Sequence, residues 1–225
     1  MELLKNTGFT MRFPISNLRS WPDQAIGRRE VFALLMGTAA ASALGTPSMA
    51  AEAAGLVEDI NGEAFAEAGN QRRALEKSAK LFVGDNVATG SSSRLTMLLG
   101  EDTTIRLGEK AHLVIDQFLS TTGGEISLQS GPMLFERPSG SRPMPVKIKS
   151  SYGLIAVRGT TFFAGPSNDV FGVFVQQGTV VVSNAGSQVT LNAGEGTNLA
   201  TPNSKPTAPV LWGAERVRKA LDSVK

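Results

Sequence analysis

The sequence predicts an all-β domain, and three observations carry that expectation. From Leu56 to about Ala200, apolar residues recur at every second position, the spacing of strands with one buried face. Glycine and small polar residues interrupt these runs at short intervals, where tight strand connections need backbone freedom. A helical spacing appears only in the last 16 residues. The expected architecture is a short β-solenoid-like or sandwich-like domain with a C-terminal amphipathic helix.

The first 50 residues differ in kind from the rest. A polar stretch ends at Gly27-Arg28-Arg29-Glu30 and gives way to Val31-Phe32-Ala33-Leu34-Leu35-Met36 and then to alanine-rich sequence. That apolar run is about 15 residues, short of the roughly 20 a membrane span requires. Pro47 and Ser48-Met49-Ala50-Ala51 follow, with small side chains where a leader peptidase cuts. Residues 1–50 therefore read as a signal peptide with cleavage near Ala50/Ala51. Arg28 and Arg29 form a twin-arginine-like export motif, although Val31 and Phe32 depart from the usual pattern after the pair, which leaves the general secretory route open. The expected location is periplasmic or secreted, with no stable membrane span once the leader is removed.

The leader carries five of the 22 basic and three of the 20 acidic side chains, which leaves the rest with equal numbers of each. Such a balance gives no electrostatic footprint for nucleic acid and no polybasic membrane patch. With no cysteine, disulfides, thiolate metal sites and a cysteine nucleophile are excluded. The lone histidine, His112, rules out multi-histidine metal cages.

Strand patterns follow in order: Leu95-Thr96-Met97, Ile105-Arg106-Leu107, Leu113-Val114-Ile115, Ile126-Ser127-Leu128, Val146-Lys147-Ile148, Ile155-Ala156-Val157, and Val173, Val175, Val180 and Val182 beyond them. This density gives about ten short strands. A unit of strand, glycine and strand recurs loosely at 126–135, 173–182 and 189–199. The basic stretch Gln71–Lys80 reads as a solvated loop between the first two strands. Residues 201–209 hold three prolines and read as an extended connector. Beyond it, Val210, Ala214, Val217, Leu221 and Val224 form one apolar helical stripe. That helix caps the β domain or offers a partner-binding segment, with Trp212 as the candidate partner contact. The expected divisions are 1–50, 51–200 and 201–225.

Several segments carry a resemblance. They are Leu81-Phe82-Val83-Gly84-Asp85-Asn86-Val87, Ile126-Ser127-Leu128-Gln129-Ser130-Gly131-Pro132, Ile155-Ala156-Val157-Arg158-Gly159-Thr160-Thr161-Phe162 and Val175-Gln176-Gln177-Gly178-Thr179-Val180. In this order, from about Leu56 to Ala200, they resemble the FecR-like domain family, named for the periplasmic part of iron-siderophore sensor regulators. The resemblance implies an all-β domain that engages other proteins without catalysis or cofactor. It singles out Gly84, Asp85, Gly131, Val157, Arg158, Gly159, Thr160, Phe162 and Gly178 as motif residues of structural role. In the sensor regulators the domain follows a sigma-binding segment and a membrane span. Here 27 residues precede the arginine pair and the apolar run ends at a cleavage site, so a free-standing exported module is expected.

Catalytic chemistry finds little support. Glu58-Asp59 and Glu101-Asp102 are adjacent acids, and adjacent strand residues point to opposite faces. No nucleophile elbow, zinc-binding HExxH or phosphate loop occurs. His112 reads as a solvent-facing strand residue, Asp85 as a turn residue rather than a calcium ligand, and Arg158 as part of a turn rather than a carboxylate grip. The expected function is a non-catalytic protein-interaction or signalling accessory module of the cell envelope, its partner an envelope protein. The alternative is a cell-wall or glycan-binding module. No metal or cofactor is expected.

Overall fold

The computed structural model of the chain describes residues 53–119, 123–141, 144–157 and 159–225. The expected leader, Arg28 and Arg29, the cleavage position at Ala50/Ala51, and Arg158 lie outside the described residues.

The chain builds two nine-stranded sheets by passing repeatedly from one to the other. β1 (Ala53–Asn61) belongs to sheet A; β2 (Ala64–Ala68) and β3 (Gln71–Ala74) to sheet B. β4 (Lys80–Phe82) returns to A, β5 (Asn86–Thr89) to B, and β6 (Arg94–Leu99) and β7 (Thr103–Leu107) to A. β8 (His112–Leu119) and β9 (Gly123–Ser130) lie in B, β10 (Met133–Glu136) in A, and β11 (Val146–Ser150) and β12 (Gly153–Val157) in B. β13 (Thr161–Ser167) and β14 (Val170–Gln177) lie in A, β15 (Thr179–Asn184) and β16 (Ser187–Asn192) in B. β17 (Glu195–Leu199) and β18 (Val210–Leu211) complete A before helix α1 (Ala214–Asp222).

Sheet A runs β18-β17-β14-β13-β10-β7-β6-β1-β4 and sheet B runs β16-β15-β12-β11-β9-β8-β5-β2-β3. Apart from β3 and β4, strand order follows chain order, so the chain advances as a solenoid does. The two open sheets pack face to face as a sandwich does, and neither closes on itself. Among the described residues β9 and β11 pair in parallel, and the other pairings are antiparallel.

The alternation read from the sequence sets the core. In β6, Leu95, Met97 and Leu99 point inward and are fully buried, while Arg94, Thr96 and Leu98 alternate with them. Ile115, Ile126 and Ile148 of sheet B meet Met97, Phe135 and Phe162 of sheet A in one apolar cluster. Each such side chain contributes about 1.5–3 kcal/mol on burial.

Three expectations change. Among the described residues eighteen strands replace about ten, because many are only two to five residues long. The basic stretch is not a loop: Gln71–Ala74 forms edge strand β3, held to β2, and Lys80 opens β4. Val210 lies in β18, not on the helix, and is half exposed. The buried face of the tail is instead Ala220 on the helix and Val224, two residues past its end at Asp222, with Val217 and Leu221 partly covered.

That face rests on the outer side of sheet A, over Leu134, Phe163 and Phe174. Consequently Phe171 to Val175 of β14 are all buried, with Phe171, Val173 and Val175 in the inter-sheet core and Phe174 beneath the tail. A nine-residue helix is marginal by itself, so this contact holds it. No helix among the described residues is long and apolar enough to cross a membrane.

Candidate interaction surfaces

The motif residues converge on the places where the chain changes sheets. Val157 ends β12 in sheet B, buried at 5% exposure, and Phe162 enters the core from β13 in sheet A, tilted against Phe135 at 5.3 Å between ring centroids. Gly159 and Thr160 make the crossover between them. Gly178 makes the adjacent crossover from β14 to β15, where a Cβ would stand 2.7 Å from the Thr160 methyl. Gly131 does the same between β9 and β10, with φ at +79° and a Cβ position only 2.4 Å from Ala111 Cα. The strand–glycine–strand unit of the sequence is therefore a sheet-to-sheet crossing, repeated at Gly194 between β16 and β17. Thr160 is fully buried, and its hydroxyl has no hydrogen-bond partner among the described residues.

Gly84 and Asp85 form the turn between β4 and β5. Asp85 is 1% exposed; its Oδ2 accepts from Phe82 N at 2.8 Å and from the Arg73 guanidinium. The carboxylate thus ties β3, β4 and β5 together. The basic stretch is accordingly engaged within the chain: Arg72 lies over the Phe65 ring at 4.0 Å and pairs with Glu67.

One charged residue escaped the sequence reading. Arg137, 3% exposed, donates to Asp102 and to Thr103 Oγ1 at 3.1 Å, while its backbone N–H donates to Thr160 O. Asp102 therefore belongs to an ion pair beside the β12–β13 crossover. Glu101 is exposed. His112 is exposed on β8.

Trp212 is 8% exposed and is engaged within the chain. Its ring stacks on Phe174 at 5.2 Å, and the Arg216 guanidinium lies 3.6 Å from the ring centroid on the indole. Arg216 donates to Ser167 Oγ and Asn198 Oδ1, and partial burial lowers its pKa below the ordinary guanidinium value. Gly172 and Gly196, on neighbouring strands, leave the space that the indole fills.

Two outward surfaces remain. On sheet A beyond the helix, Asp59, Asn61, Arg94, Thr96 and Arg106 border a polar groove of about 220 Å³, with Val224 and Lys225 at its rim. Arg106 pairs there with Glu136 at 2.8 Å. On sheet B, no described element covers the outer face. One cross-strand row runs through Glu67, Asn86, Val114, Ser127, Lys149, Leu154, Ser183 and Gln188. Lys149 bonds Glu125 at 2.5 Å, which raises its pKa, and Ser127 donates to Asp116. This surface is polar and mixed in charge.

Comparisons with known proteins agree with this fold. Residues 85–181 match the family model described as FecR protein, a narrower span than the Leu56–Ala200 of the sequence resemblance. No curated protein matches the sequence. A solved structure titled "putative anti-sigma factor" from Parabacteroides distasonis is 14% identical, with a TM-score of 0.50. The alignment covers 60% of this chain and 64% of that one, so it shows a shared fold over less than two thirds of the other protein. A second structure with the same description and organism gives 15% identity, 60% and 63% coverage and a TM-score of 0.49.

Proposed function

Because the chain carries a FecR-like domain, we propose that it is an exported, non-catalytic interaction module, a signalling or accessory component that docks on a protein of the cell envelope. The match over residues 85–181 carries this reading. The regulatory name of a solved structure sharing the fold is in keeping with it. The open outer face of sheet B is the surface assigned to docking: hydrogen-bonding and mixed in charge, the composition of a non-obligate protein interface. The leader with Arg28 and Arg29 supports delivery across the inner membrane.

A glycan-binding module lacks comparable support. Sugar recognition draws on exposed aromatic platforms, and among the described residues no aromatic side chain is exposed. Tyr152 stacks on Phe171 at 4.5 Å, and the Phe65 ring is covered by Arg72.

The test reverses charge on the sheet B face. Lys147→Glu with Lys149→Glu alters two exposed side chains without touching the core. Recovery of a discrete envelope protein with the unaltered chain, and its loss with this variant at unchanged melting temperature, supports the proposal. Capture that is indifferent to this face, or sedimentation with purified wall in place of protein capture, contradicts it.

A further inference from the structure

Each sheet has two edges, and three of the four are blunted. β18 has two residues and β4 three, while β3 carries Arg72 and Arg73. Short length and edge charge are the usual means of preventing strand-to-strand association. The fourth edge, β16, has neither device. It is six residues long, Ser-Gln-Val-Thr-Leu-Asn, with no charge and no proline.

The β15–β16 hairpin fixes which groups this edge presents. Its two loop residues, Ala185 and Gly186, have φ of +50° and +71°, the type I′ geometry that closes on a hydrogen-bonded pair, here Asn184 and Ser187. Hydrogen-bonded and open pairs alternate along an antiparallel ladder, so Ser187, Val189 and Leu191 bond to β15. The N–H and C=O groups of Gln188, Thr190 and Asn192 point away from it. Asn192 N–H is taken by Glu195 at 2.7 Å. Gln188 and Thr190 have no backbone partner among the described residues beyond the hairpin.

These free groups match one another under a two-fold axis. We infer that β16 pairs antiparallel with β16 of a second copy, the axis passing at Val189. Gln188 of each copy then stands opposite Thr190 of the other, and each residue exchanges both its N–H and its C=O with its opposite number. The arrangement satisfies the exposed groups of both copies and needs none from Asn192. It sets uncharged side chains opposite one another, so no like charges meet. It also brings the two Val189 side chains, each packed against the core of its own copy, side by side across the axis. Sheet B becomes continuous through both copies, a closed two-fold assembly.

The chain has no cysteine, which gives a clean test on the full chain. Val189→Cys places two sulfur-bearing residues opposite each other in an open pair, where the Cα separation of about 4.5 Å suits a disulfide. Arg72→Cys on the edge of β3 is the control. The expected result is twice the chain mass in a concentration series followed by light scattering. Mild oxidation is expected to give a disulfide-linked dimer for Val189→Cys and none for Arg72→Cys. Thr190→Pro removes an edge N–H that β15 does not use and returns the protein to monomer. Should Thr190→Pro fail to fold, Gln188→Lys with Thr190→Lys sets four cations around the axis and breaks the dimer by repulsion. A single chain mass across the series, no cross-link in the Val189→Cys variant, or a dimer that survives these edge variants overturns the inference.

Discussion

A Cβ on Gly196 would stand 2.2 Å from Nε1 of Trp212, so the indole occupies space that any side chain on β17 would claim. Gly172, one strand over, approaches the far edge of the same ring, where its Cβ would lie 2.8 Å from the indole. Two glycines therefore make the seat that fastens the C-terminal tail to sheet A.

Trp212→Ala is expected to cost about 3–4 kcal/mol, as deletions of large buried aromatics do. Gly196→Ala forces the indole out and acts in the same direction, so the double variant costs less than the sum of the two. Trp212→Phe is much milder, because Nε1 is buried without a hydrogen-bond partner among the described residues and its loss leaves no acceptor unpaired. Urea unfolding of the four proteins checks the order.

The Arg137–Asp102 pair predicts an asymmetry between adjacent acids. Asp102→Asn turns the carboxylate facing a 3%-exposed guanidinium into a neutral amide and is expected to lose about 1–3 kcal/mol, given the partial exposure of the acid. Glu101→Gln is exposed and stays within about 0.5 kcal/mol of the unaltered chain. Equal effects by thermal melting would contradict the assignment.

Glycine substitutions separate strain from overlap. Gly84 and Gly131 both have positive φ, at +92° and +79°. Alanine at Gly84 meets nothing within 4 Å and carries only the conformational cost, about 1–2 kcal/mol. Alanine at Gly131 carries that cost and also strikes the Ala111 backbone. Gly131→Ala should therefore be the more destabilised of the two, as denaturant midpoints will show.

Export is testable at the arginine pair. Arg28→Lys with Arg29→Lys is expected to leave the protein uncleaved in the cytoplasm if it travels by the twin-arginine route. Undiminished mature protein in the periplasmic fraction contradicts that route.

The strand core was legible because burial on one face writes itself into alternate residues, as in Leu95, Met97 and Leu99. The helix was legible as an element but not in its bounds, since Val210 has the right spacing and the wrong backbone. Periodicity also failed at β14, where the tail covers the second face and Phe174 joins an otherwise alternating run. Edge strand β3 was hidden because its arginines are engaged by Phe65, Glu67 and Asp85, contacts that depend on distant parts of the chain. The glycines were visible as punctuation, but only the topology shows that Gly131, Gly178 and Gly194 mark passages between sheets. Arg137 lacked any local signal, since its acid lies 35 positions earlier.

The most direct measurement of the central claim is photo-cross-linking in intact cells, with the probe at Lys149 on the open face of sheet B, followed by fractionation. The account predicts one discrete cross-linked envelope protein in the periplasmic or membrane fraction, lost when the probe moves to Val217 on the tail helix, which packs over sheet A. A probe that reacts only with wall material, or a chain recovered wholly from the cytoplasm, would contradict it.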